Sequence, residues 1–77
     1  MSGQQIEHLV SMANQIALNF GEKRNLTEAA RKTGEHLKKF WTRAMREKLS
    51  IEAADSEVPL SPAVNLMLEQ QRGQIGS

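Results

Sequence analysis

Two histidines, His8 and His36, are the side chains of this 77-residue chain best suited to proton exchange or metal ligation near neutral pH. They lie far apart in sequence, and neither has a second histidine or a cysteine at ligand spacing. Cysteine is absent altogether, which removes disulfides and thiolate metal sites together. No Gly-rich phosphate loop, HExxH, GxSxG or carboxylate dyad occurs. A chain this small also has little room for a closed pocket. Both histidines therefore read as surface or cap-proximal residues, and the expectation is a non-enzyme with no catalytic, cofactor-binding or metal-ligating residues.

The remaining candidates for chemistry are the adjacent rings in "EHLKKFWTRAMREKL", Glu35 to Leu49. Phe40 and Trp41 are two of only three aromatics, the third being Phe20. They could stack on a nucleic acid, complete the core, or face a partner. The segment from Glu22 to Lys48 holds nine basic residues against four acidic ones, a net +5, and the rest of the chain is net −4. A basic middle permits an anionic partner without requiring one.

The elements that position these residues read as helices. Ile6, Leu9, Val10, Ala13, Ile16, Ala17 and Phe20 recur at helical spacing, with Gly21 as a C-terminal stop, predicting a helix over about 5–20. Asn25, with Glu28 three positions later, predicts a capped second helix over 26–49 carrying Leu26, Ala29, Ala30, Thr33, Leu37, Phe40 and Ala44. Gly34 sits inside it at a cost of about 1 kcal/mol relative to alanine. The linker "GEKRN" favours an antiparallel hairpin. The acidic stretch "EAADSEVPL" reads as a loop. Ser61 and Pro62 then open a short third helix over 62–71 with Val64, Met67 and Leu68 on one edge, and 72–77 reads as a frayed tail. The expected fold is one all-α domain over 1–77, an antiparallel helical hairpin with a short third C-terminal helix.

The apolar arc of the second helix is roughly 160° wide, against about 100° for a helix covering one neighbour. Phe40 is assigned to the core between the first two helices. Trp41 and Met45 fall on a flank with Ala30 and Gly34, where another backbone could approach closely. The third helix or a second protein chain could cover that flank, and the excess of apolar edge in so small a chain favours a second chain for at least part of it.

"TEAARKTGEHLKKFW" superficially resembles a DNA-binding helix-turn-helix. Thr33 and Glu35 flank the glycine where apolar residues should seat the second helix, and Glu35 would face phosphates. An uninterrupted helix through Gly34 fits better, with Glu28/Lys32 and Glu35/Lys39 as i,i+4 pairs. The lack of a signal-like N-terminus and of any apolar run near the ~18 residues of a membrane span points to a soluble, cytoplasmic protein.

Three segments together resemble one family: "HLVSMANQIALNF" (His8 to Phe20), "HLKKFWTRAMREKL" (His36 to Leu49) and "LSPAV" (Leu60 to Val64). This is the delta subunit of the soluble, NAD-dependent, molybdenum- or tungsten-containing formate dehydrogenases. The family pattern carries a proline two residues after the tryptophan, where this chain has Arg43, so the second helix is expected to run straight through. The resemblance implies a small accessory subunit without a redox group. It would stabilise or help mature an assembly whose alpha subunit holds the metal centre and iron–sulfur clusters, while beta and gamma subunits pass electrons through flavin to NAD. The expected partner is thus a larger formate dehydrogenase subunit, foremost the alpha subunit, with self-association possible in isolation. Met12, Asn14, Gln15, His36, Trp41, Met45 and Arg46 are the residues expected at the interface. A small nucleic-acid-binding regulator and a self-associating helical module remain the competing readings.

Overall fold

A computed structural model describes residues 2–76, and the side chains of residues 5–71. Four helices follow in order: α1 (Ser2–Asn19), α2 (Leu26–Phe40), α3 (Arg43–Glu52) and α4 (Pro62–Gly76), with a 3-10 turn (Ala53–Asp55) after α3. Among the described residues no strand occurs, so the fold is all-α. It has one helix more than the expected hairpin and third helix. The fourth helix also continues beyond residue 71 into the stretch expected to fray, and Ser77 lies outside the described residues.

α1 forms as its spacing predicts. Ile6, Leu9, Val10, Ala13 and Ala17 are buried along one stripe, flanked by part-buried Met12 and Ile16. It ends in a Schellman turn: Glu22 N–H donates to Ala17 O at 3.3 Å and Gly21 N–H to Leu18 O at 3.1 Å. That closure needs a left-handed residue, which Gly21 supplies at φ +81° without the clash a Cβ would bring. Asn25 then caps α2, its side-chain oxygen accepting from Glu28 N at 3.0 Å. The reciprocal half of a capping box does not form. Asn25 N–H is satisfied by Gly21 O, and the Glu28 carboxylate turns to Arg31.

α2 runs unbroken through Gly34, as expected, but stops at Phe40 instead of continuing to Leu49. Trp41 and Thr42 are both extended, with ψ of 150° and 160°. Thr42 starts α3 anew, its side-chain oxygen accepting from Met45 N at 3.1 Å. Arg43 thus occupies the first position of a helix, the place where proline is best tolerated. The expectation of a straight helix is overturned because a threonine cap suffices for the restart without proline.

This break reverses the roles of the two rings. Phe40 is 71% exposed and Trp41 only 7%. Counting from buried Leu37, Phe40 stands at i+3 and Trp41 at i+4, so periodicity admits either one. The extended step at residue 41 directs the indole inward and leaves the phenyl outside. The flank bearing Ala30 and Gly34 is likewise covered from within the chain. Among the described residues α4 packs most extensively on α2, burying Ala63, Val64, Met67 and Leu68. The approach is close at Gly34, where an added Cβ would meet Met67 Cγ at 3.4 Å. The expected second chain is therefore not needed on this flank.

The charge pairs also differ from expectation. Arg31 takes both carboxylates, hydrogen-bonding Glu28 and reaching Glu35 at 2.8 Å, so neither expected lysine pair forms. The guanidinium fork serves two acids from one position, which a lysine point charge does less well.

Candidate docking surface

The seven residues expected at an interface do not come together. Two have duties inside the chain. Trp41 lies in the core with Leu37 and Leu49, so the expectation that its ring faces outward is corrected. Asn14 clamps the segment before α4, donating from Nδ2 to Pro59 O at 2.9 Å and accepting at Oδ1 from Ser61 N at 2.8 Å. Its position off the apolar stripe of α1 is explained by this polar task.

The other five are distributed over the surface. Met12 is half-buried against the core. Gln15 is exposed and donates to Asn19 Oδ1 at 3.3 Å on its own helix. Met45 lines an open groove between α1 and α3, about 480 Å³, with Gln5, His8, Leu9, Ala44 and Lys48. Its walls are mainly apolar, and His8 stands exposed at its edge. Arg46 is half-buried, and its Nε is enclosed without an acceptor among the described residues. That donor is desolvated without compensation, an arrangement native chains seldom keep.

His36 belongs to a different feature. Its ring packs edge-on to Phe20 at 5.9 Å and tilted against Phe40 at 4.7 Å. The three rings form a ridge where the end of α1 meets the last turns of α2. Phe20 is 36% exposed and Phe40, at 71%, is almost bare. One hollow beside the ridge is lined by Lys32, Glu35 and Lys39 together with the three rings. A second, lined by Leu18, Lys23 and Arg24 among others, shares Phe20 and Lys32 with the first. The sequence pattern assigns Phe40 to the core and Phe20 to the apolar stripe of α1, so neither stands out there as a surface candidate. The signal that could have exposed Phe40 is Thr42, a good N-cap residue inside an apparently continuous helical pattern.

The acids near this ridge are already engaged. Arg31 holds Glu28 and Glu35, and its hydrogen bond is the main reason the Glu28 carboxyl titrates below the ordinary glutamate range. Glu22 accepts from Ala63 N at 3.0 Å, placing a carboxylate at the N-terminus of α4 where the helix dipole favours it. Lys23, Arg24, Lys32 and Lys39 make no ion pair among the described residues, although Lys32 attracts Glu28 from a distance. The ridge is therefore apolar at its crest and cationic around it.

No described helix is long and apolar enough to cross a membrane. Searches among curated proteins and among solved structures find no match. A family model described as NADH-dependent formate dehydrogenase delta subunit FdsD matches residues 8–66, well over half of the chain. That span contains Asn14, His36, the paired rings and the Pro59–Ser61 segment that Asn14 clamps, so the chain belongs to the formate dehydrogenase delta subunit family.

Proposed function

We propose that this chain is a noncatalytic accessory subunit, acting in the cytoplasm, that docks on the alpha subunit of an NAD-dependent formate dehydrogenase and stabilises or helps mature the complex. Family membership supports the assembly, and the exposed Phe40 carries the docking. With fifteen hydrophobic side chains among the described residues closed into the core, a phenyl ring 71% exposed and resting on His36, which in turn meets Phe20, is surface the fold does not require for itself. Large apolar residues grouped on a surface mark sites of association. His36 is the contact residue at this ridge. Met45 and Arg46 on α3, with Met12 and Gln15 on α1, are further contacts.

The test is expression of the enzyme's other subunits with and without this chain. The expected result is that the chain co-purifies with the alpha subunit, and that complexes made without it lose formate oxidation or melt at lower temperature. Complexes of full activity and unchanged thermal stability in its absence would exclude the role.

A further inference from the structure

We infer that the Phe20–His36–Phe40 ridge receives an acidic segment of the larger subunit, one that carries an apolar side chain to seat on Phe40 and carboxylates to meet Lys32 and Lys39. This deepens the docking reading above and rests on it.

Charge on the page selects the occupant. The carboxylates that line the two hollows, Glu28 and Glu35, are both held by Arg31. The neighbouring Lys32 and Lys39 are exposed and have no ion-pair partner among the described residues. A basic partner segment would meet uncompensated like charge, whereas an acidic one would gain attraction at the rim as apolar surface is covered at the crest.

Shape agrees. The two hollows, about 240 and 570 Å³, meet along Phe20 and Lys32 and remain open to solvent. Such a trough suits a short run of side chains from a macromolecule better than one enclosed small molecule.

A second copy of this chain fits less well. Its own exposed apolar residue beside acids is Ile51, 76% exposed next to Glu52. In a closed dimer that contact would have to be made twice, each copy's ridge meeting the other's Ile51. Glu52 is also already paired with Lys48 at 2.9 Å.

The experiment uses the chain co-expressed with the other formate dehydrogenase subunits. Zero-length carbodiimide coupling, which joins amines to carboxylates in direct contact, is followed by peptide mapping. The expected products link Lys32 or Lys39 to aspartate or glutamate of the larger subunit. The double variant Lys32→Glu/Lys39→Glu is expected to bind about tenfold or more weakly, with a reduced salt dependence. Both lysines are exposed, so circular dichroism of the isolated variant should be unchanged. Undiminished binding by this variant, while Met45→Asp abolishes it, would overturn the ridge and leave docking intact through the α1–α3 groove. Failure of the wild-type chain to co-purify would remove the docking reading itself. Crosslinks joining two copies of this chain, or a lysine-dependent gel shift of an oligonucleotide without enzyme crosslinks, would each overturn the proposed occupant.

Discussion

Asn14 and Ser61 are joined across 47 positions of sequence by a 2.8 Å hydrogen bond from Ser61 N–H to the Asn14 side-chain oxygen. The same amide group donates to Pro59 O, so one side chain fixes both sides of Leu60 and sets where α4 begins. Ser61 caps that helix, its Oγ accepting weakly from Val64 N at 3.4 Å. Two of the segments that resemble the delta subunit family, around Asn14 and around Ser61, are thus parts of a single joint. Asn14→Ala removes both bonds and should lower unfolding stability by about 1–3 kcal/mol. Asn14→Asp keeps the acceptor but turns a carboxylate toward the Pro59 carbonyl, and should be destabilising as well. Urea unfolding measures both; stability equal to wild type would mean that water replaces the clamp without loss.

The exchange of Phe40 and Trp41 leads to opposite outcomes for two similar truncations. Trp41→Ala empties a core position and should cost about 3–5 kcal/mol, enough to unfold much of so small a protein. Phe40→Ala removes a ring that is 71% exposed and should change stability by less than about 0.5 kcal/mol. Thermal melts of the two isolated variants check the assignment. A Phe40→Ala chain melting as low as Trp41→Ala would show that the ridge supports the fold.

Much of this arrangement was legible, because α1 and the first part of α2 are governed by local rules. Ile6 to Ala17 keep a helical period, Gly21 is required by the turn it makes, and Asn25 caps its own neighbours. Where the sequence misled, the deciding interaction was either a choice between adjacent positions or a contact over long distance. Leu37 has a ring at both i+3 and i+4, and only the extended step at Trp41 chooses between them. The Asn14 amide finds its partners more than forty positions away, which no periodicity reveals. Arg31 displaced the two expected lysine pairs because one fork can serve acids at i−3 and i+4 together. The aromatic ridge was hidden for the same reason as the helix break: Phe40 fitted an apolar stripe that ends one residue before the core needs its next ring.

Glu22 provides a second polar tie to α4, its carboxylate accepting from Ala63 N at 3.0 Å. Glu22→Gln keeps an acceptor and loses the charge facing the helix dipole, a loss of about 0.3–1 kcal/mol at low ionic strength. Glu22→Ala loses the bond as well and should be the more destabilising of the two. The gap between wild type and Glu22→Gln should narrow in high salt. A difference insensitive to salt would assign the effect to hydrogen-bond geometry.

Glu28 gives the pH dependence a definite sign. Its hydrogen bond to Arg31 is the largest influence on it and depresses its folded-state pKa, so the carboxylate form is favoured by folding. The associated stability is present above the unfolded-state pKa and is lost as pH falls through the lower, folded value. Both partners are well exposed, with side chains 42% and 54% accessible, so the contribution is small and screened by salt. Arg31→Ala should raise the Glu28 midpoint toward the ordinary glutamate range in an NMR titration. A midpoint that stays depressed would place the cause elsewhere, with Lys32 as the remaining cation.

Thr33 and Gly34 offer a test of how α4 sits on α2. Thr33 is fully buried and its hydroxyl has no hydrogen-bond partner among the described residues. Thr33→Val keeps the branched shape and removes the stranded hydroxyl, so it should be neutral or stabilising by up to about 1 kcal/mol. At Gly34 an added methyl would lie 3.4 and 3.6 Å from Met67 Cγ and Sδ, tight but on a flexible side chain. Gly34→Ala should then gain most of the helix propensity difference, about 0.5–1 kcal/mol. Gly34→Leu exceeds the space and should separate the two helices, costing about 1–3 kcal/mol. The ordering Ala above Gly above Leu in denaturant midpoint is the diagnostic. If leucine were tolerated as well as alanine, α4 would not be packed on this face, and the second chain suggested by the small residues of α2 would regain its place there.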